Sequence, residues 1–171
     1  GRSLETLIPA MHSVNAQLVI CGDGNFMQQA KKLVTQHGLQ DKIVFTGYLE
    51  PAQLKTYTLS AYIGVALVDD VGLNSYYSLA NRFFDYMHAG VPQICVDYPA
   101  YRHIVDRYPF AVLLSDISSE NLSKALNQLL ADEQRYSELQ RQCLIAREDL
   151  NWQCEEIKLV EFYKSIFASR G

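Results

Sequence analysis

Four cysteines stand in 171 residues, at Cys21, Cys95, Cys143 and Cys154, and no two of them make a C-x-x-C pair. That scatter excludes a dithiol or zinc framework. With two of the four inside apolar runs, reduced and buried thiols are expected, as in a cytoplasmic protein. Charge is also sparse. Only 20% of residues are charged and the net charge is −4, so no surface neutralises a phosphate backbone and no nucleic-acid partner is expected. No apolar run approaches the roughly 20 residues of a membrane span. His12, His37, His88 and His103 have no paired spacing, His88 is expected to be exposed on its helix, and Asp69-Asp70 form no D-x-D motif. A metal is therefore not expected. The single tryptophan, Trp152, reads as a core or interdomain anchor. No repeat, low-complexity tract or linker interrupts the chain, and its length fits one domain.

What is present is an alternation of strands and helices. Helical patterns cover 3–13, 26–37, 50–60, 81–89, 101–108 and 119–131. Another covers 132–150 as one helix or two, and a last one 153–168. Short apolar runs at 17–21, 43–46, 63–67, 93–96 and 111–114 read as strands. Ser3 is the expected N-cap of the first helix, Pro51 opens the third, and Ser118 or Ser119 caps the helix that follows the last strand. Residues 69–78 read as a loop. The alternation predicts an α/β fold, a Rossmann-like three-layer parallel sheet with helices on both faces. Ligands of such sheets bind beyond the carboxyl ends of the strands. Gly22-Asp23-Gly24, Gly47-Tyr48, Asp69-Asp70 and Asp97 all fall there.

The stretch from Ser78 to Pro92 carries the most chemistry. It reads as a loop, a helix with a carboxylate, a glycine stop at Gly90 and a proline that prevents continuation. A helix N-terminus offers unpaired N–H groups and partial positive charge, which attract phosphate. Arg82 adds a fork of donors at that end. Asp85, one turn further on, can accept hydrogen bonds from sugar hydroxyls.

This segment resembles the sugar-nucleotide motif of the retaining, two-Rossmann-domain (GT-B) glycosyltransferases of group 1. Tyr86-Met87-His88-Ala89-Gly90-Val91-Pro92 resembles the motif's Met-Ala-x-Gly-x-Pro tail. Asp85 stands where the second motif glutamate stands, and the first falls at Tyr77, a departure. Ala80-Asn81-Arg82-Phe83-Phe84-Asp85-Tyr86 is similar to the Pro-Asn-Lys-Leu-Phe-Glu-Tyr run of one branch. Leu18–Gly24, Lys42–Tyr48 and Asn151-Trp152 resemble other steps of the family, so the resemblance runs from about Gly1 to Phe167.

The resemblance implies the C-terminal, donor-binding half of a GT-B fold. It implies a hexosyltransferase-type enzyme that takes a UDP- or GDP-sugar without metal, with Arg82 and Asp85 as the catalytic residues. Gly22, Gly24, Tyr48, Leu79, Ala80 and Asn81 join Arg82 and Asp85 as binding residues. It further implies a glycan or lipid-linked acceptor held by a separate N-terminal domain, polysaccharide biosynthesis, and possible work at the inner membrane face. In the family a strand and a phosphate-contacting loop precede the first helix. The chain is accordingly expected to be a C-terminal fragment, to lack transfer activity alone, and to leave a slot in its sheet. Gly1-Arg2 would be the remnant of the phosphate-contacting turn.

Other readings of the same residues stay open. Asp85 is otherwise a solvated or capping carboxylate, Arg82 an exposed charge, and Asn81 an N-cap. Gly22 and Gly24 otherwise serve only a tight turn, and Tyr48 is a surface aromatic. Tyr76 and Tyr77 would pack against the site or cover it. Two other functions remain: a non-catalytic nucleotide-binding or regulatory module, and half of a sugar-nucleotide epimerase.

Overall fold

Strands and helices form where the apolar runs and glycine stops predict them. The computed structural model describes residues 3–69 and 72–168; Gly1, Arg2 and Asp70 lie outside the described residues. The order is α1 (Leu4–Ala10), β1 (Leu18–Cys21), α2 (Met27–Gln36), β2 (Ile43–Gly47), α3 (Pro51–Ser60), β3 (Gly64–Ala66) and α4 (Leu73–Tyr77). Then follow α5 (Asn81–Ala89), β4 (Gln93–Val96), α6 (Pro99–Arg107), β5 (Ala111–Leu114), α7 (Ser119–Ala131), α8 (Glu133–Asp149) and α9 (Trp152–Ala168).

Four local expectations are corrected. The first helix is shorter than 3–13, because Pro9 removes a ladder N–H and the chain tightens into a 3-10 turn at Met11–Ser13. Ser3 does not cap it. Its backbone is left-handed, at φ 50°, and its hydroxyl donates to Asp69 instead. The loop expected over 69–78 contains α4, a short helix begun at Gly72. Asn81 is the first helical residue of α5, and the cap position belongs to Ala80, whose side chain cannot cap. The segment over 132–150 forms a single helix, opened by Asp132 accepting from the Arg135 N–H at 2.9 Å.

All strand pairings are parallel, but they fall into two ladders. β1 pairs with β2, placing Leu18 opposite Ile43 and Val19 opposite Val44. β4 lies between β3 and β5, placing Ile94 opposite both Val65 and Val112. No ladder joins β1 to β3 among the described residues. The helices bridge the two halves instead. α1 packs with α2 and α7, while α5 packs with α3, α8, β3 and β4.

β4 is buried at every position, which explains its continuously apolar sequence apart from Gln93. Gln93 is itself fully buried, and its Nε2 donates to the Phe83 carbonyl at 2.8 Å, tying β4 to α5. Phe83 sits at the centre, its ring 4.9 Å from that of Tyr101 and 5.1 Å from that of Phe110. Gly90 ends α5 at φ 71°, and the Val91 N–H closes back on the Tyr86 carbonyl at 2.9 Å. A residue with a side chain is strained in that conformation. Trp152 is 64% exposed and so is no core residue of this domain. With Phe162 and Phe167 it adds to the apolar surface of α9.

The seat of α5 depends on one close approach. A Cβ added to Gly64 would lie 2.5 Å from the Tyr86 ring. That ring is flanked by α5 and β3 and cannot swing aside as a flexible chain end would. We expect Gly64→Ala to destabilise the chain by roughly 1–3 kcal/mol. Urea unfolding should then show a lower midpoint with an unchanged slope.

Candidate functional site

The amphipathic spacing of α5 sorts its residues by face. Phe83 and Met87 enter the core. Asn81, Arg82, Asp85 and Tyr86 instead line a cavity of about 740 Å³ between β1 and β3, together with Cys21 and Leu67 from the carboxyl ends of those strands. Positions 82, 85 and 86 are neighbours on one helix surface. The expected cation and carboxylate therefore share one face, beside the strand ends.

The loop ahead of α5 is held from below. The buried Tyr101 hydroxyl accepts the Ala80 N–H at 3.1 Å. Burial pushes the Tyr101 phenol above its ordinary pKa of 10.0, so it stays protonated. Leu79 is half-buried and packs against the core. Arg82 does not project past the helix end. Its guanidinium donates to the Leu67 carbonyl at the edge of β3. A hydrogen bond from a charged group contributes on the order of 1.5–3 kcal/mol, comparable to what one phosphate contact would return.

Asp85 is exposed as a residue. Its carboxyl nonetheless titrates above the ordinary 3.8, because surrounding protein removes part of the carboxylate's water; nearby His88 pulls the other way. His88 is exposed, as expected.

Across the cavity, the turn after β1 carries Gly22 at φ 116° and Gly24 at φ 156°. A Cβ at either glycine would meet no atom within 4 Å, so backbone conformation and not crowding selects glycine here. The Gly22 N–H donates to the Gly47 carbonyl at 2.9 Å, which sets Tyr48 beside this turn at the end of β2. Tyr48 is 72% exposed. The Asp23 carboxylate accepts the Gly24 N–H at 2.8 Å and fixes the turn's shape.

An aromatic floor borders the end of β3. The Tyr98 hydroxyl donates to the Val68 carbonyl at 3.1 Å, and the Tyr76 ring lies 4.9 Å from the Tyr98 ring. Tyr77 stands edge-on to Tyr76 at 5.1 Å and is 63% exposed. Tyr76 thus packs, while Tyr77 presents its ring to solvent.

Sequence reasoning put Gly22, Gly24 and Tyr48 beyond the carboxyl ends of strands, and they follow β1 and β2 directly; Asn81, Arg82 and Asp85 share a cavity with Cys21 and Leu67. It missed Tyr101, Tyr98 and Gln93. A lone polar residue in an apolar strand run was the one signal for Gln93, and nothing in the sequence announced the two tyrosines. Among the described residues no group of three His, Cys, Asp or Glu side chains could hold a metal ion.

One consequence follows for pH. The folded-state pKa of Asp85 is raised, so the folded chain binds more protons than the unfolded chain just above 3.8. Stability therefore falls as pH rises through that window. We expect wild type to lose stability relative to Asp85→Asn between pH values below 3.8 and neutrality. Denaturation of both proteins across that range checks the sign, and equal pH dependence would contradict it.

Residues 3–144 match the sequence profile of the glycosyl transferases of group 1. Comparison with curated proteins gave no match. Among solved structures, sucrose-phosphate synthase from Thermosynechococcus elongatus superposes with a TM-score of 0.82 at 22% identity, over 98% of this chain and 43% of that one. HepE from Anabaena, solved with UDP, gives 0.81 at 16% identity, over 96% and 45%. The C-terminal domain of a group 1 family glycosyl transferase from Francisella tularensis gives 0.71 at 16% identity, over 87% and 79%. The chain thus spans less than half the length of the first two. The likeness establishes the fold, an α/β domain of the GT-B kind.

Proposed function

Because this chain belongs to the glycosyl transferases of group 1, we propose that it is the half of such an enzyme that binds a nucleotide-diphospho-sugar, UDP- or GDP-linked. The sugar goes to a glycan or lipid-linked acceptor held by another domain. The observation that carries this reading is that Asn81, Arg82 and Asp85 of α5 line one cavity with Cys21, the residue directly before the Gly22–Gly24 turn. Solved neighbours bound to UDP, UDP-glucose, or UDP with GlcNAc support a nucleotide-sugar as the ligand class.

In this reading the diphosphate lies against the N-terminus of α5. There the helix amides and the Arg82 guanidinium offset the charge that builds as the glycosidic bond breaks. Bond cleavage leaves the nucleoside diphosphate as the leaving group, and the acceptor hydroxyl forms the new bond to the anomeric carbon. Removing one preorganised donor to such a charge typically costs about 2.7–4 kcal/mol of transition-state stabilisation. The Asp85 carboxylate accepts from ribose hydroxyls. Its partial desolvation costs less once those donors replace lost water. Tyr48 borders the base. No metal enters this scheme, because the helix amides and the guanidinium supply the positive field.

The acceptor and any base belong to the separate domain, so this chain alone binds donor and does not transfer sugar. Work on polysaccharide or lipid-linked glycans at the inner membrane face fits the same reading. A purely regulatory nucleotide-binding module is the second reading, favoured by the tyrosine at position 77.

Titration calorimetry with UDP and GDP tests the proposal. We expect binding at millimolar affinity or better to one of them. Loss of a charged hydrogen bond in Asp85→Ala should weaken it by on the order of tenfold to a hundredfold. Binding that is indifferent to Asp85→Ala would remove this carboxylate from the site.

A further inference from the structure

The first turn of α6 ties together β3, β4, α4 and the loop ahead of α5. Pro99 at its first position fixes φ and starts the helix directly beyond β4. From this turn the Tyr98 hydroxyl donates to the Val68 carbonyl at 3.1 Å, just past β3, and the Tyr98 ring carries that of Tyr76 from α4 at 4.9 Å. Arg102, four residues on, donates to the Asp97 carboxylate at the end of β4. Between them Tyr101 accepts the Ala80 N–H at 3.1 Å.

That last bond falls at a break in the hydrogen bonding of the chain itself. Ser78 still belongs to α4, its N–H donating to the Asn74 carbonyl at 3.1 Å, and the Phe83 N–H already donates within α5 to the Ala80 carbonyl at 2.9 Å. The Ala80 N–H lies between two helices, where neither ladder can take it. Ala80 has extended torsions, φ −80° and ψ 138°, so it is the joint about which α5 leaves the loop. The Tyr101 hydroxyl fixes that joint. The Tyr101 ring does separate work, fully buried and edge-on to the Phe83 ring at 4.9 Å. A phenylalanine would fill the same space, so packing does not call for the hydroxyl. A buried hydroxyl costs free energy unless it is hydrogen-bonded, and here its partner is the loop amide.

We propose that Tyr101 is a positioning residue for the donor site: through the Ala80 amide it sets the entry of α5, whose first turn holds the diphosphate. This role rests on the donor-site reading of α5. Tyr101 is buried beneath the loop and touches no ligand. It acts through geometry. α5 has no side-chain cap, and Asn81 at its head lines the cavity. An anion there is held by amides that point along the helix axis, so a swing at Ala80 moves all of them together.

The test sets the whole chain against two variants. Tyr101→Phe removes the hydroxyl and keeps the ring. Phe110→Leu trims the same cluster, at a ring 5.1 Å from that of Phe83, and leaves the Ala80 bond in place. Affinity for UDP and GDP is measured by calorimetry, and amide hydrogen exchange residue by residue. We expect Tyr101→Phe to weaken the nucleotide that wild type binds by about three- to tenfold, the effect of one neutral hydrogen bond. Its Ala80 amide should exchange roughly tenfold faster. The Val91 and Asp97 amides, bonded to Tyr86 and Leu114, should keep their rates. Phe110→Leu should lower the urea midpoint and leave both the affinity and the Ala80 exchange at wild-type values. Wild-type affinity in Tyr101→Phe, or an equal loss in Phe110→Leu, would overturn the proposal and leave the donor site standing. Binding of neither nucleotide by wild type would overturn the donor reading and this role with it.

Discussion

The demand of the facing backbone edges of β1 and β3 for hydrogen-bond partners is the constraint on which the rest of the structure depends. Backbone N–H and C=O groups on the inner edges of a parallel sheet need partners, from another strand, from side chains or from water. Here, among the described residues, two inner edges face each other without a ladder, and the Arg82 and Tyr86 side chains reach to the β3 edge. This accounts for the posture of Arg82 on the Leu67 carbonyl and of the Tyr86 phenol on Val65. It also accounts for Gly64, since the Tyr86 ring crosses β3 where no Cβ fits.

The same constraint shapes the candidate site. The anion-attracting end of α5 sits at the mouth of the gap, so the groups that would hold a diphosphate also touch the strand edges. Arg82 is shared between the two duties. Asp85 is not tied to an edge, and partial loss of water holds its carboxyl above the usual range. The rigid part of the site lies underneath. Tyr101, Phe83 and Gln93 fix α5 and its leading loop against β4 through two hydrogen bonds and a ring cluster. The candidate site is thus a cation and a carboxylate carried on a firmly placed helix.

Much of this was legible in the sequence because it rests on local rules. Gly90 and Pro92 bound α5, and the apolar run of β4 reported its burial on both faces. Those signals depend on φ preference and periodicity. The failures were non-local. Ser3 looks like a cap until Asp69, distant in sequence, takes its hydroxyl. Asn81 looks like a cap until the strand-to-helix path puts Ala80 in that place. The short helix α4 lacks a side-chain cap and rests on packing of Tyr76 against Tyr98. Arg82 was read as facing a phosphate, and no local pattern could show that a strand carbonyl would claim it. Trp152 was read as an anchor, yet within this domain it remains on the surface.

The most direct test of the central claim is to map where a nucleoside diphosphate touches the chain, by following backbone amide signals during titration with UDP and, separately, GDP. The account predicts that one of them moves the signals of Gly22, Gly24, Asn81, Arg82 and Asp85 most, with Tyr48 following if the base lies where we place it. Shifts confined to α8 and α9, or no shift with either nucleotide, would contradict a donor site at the N-terminus of α5.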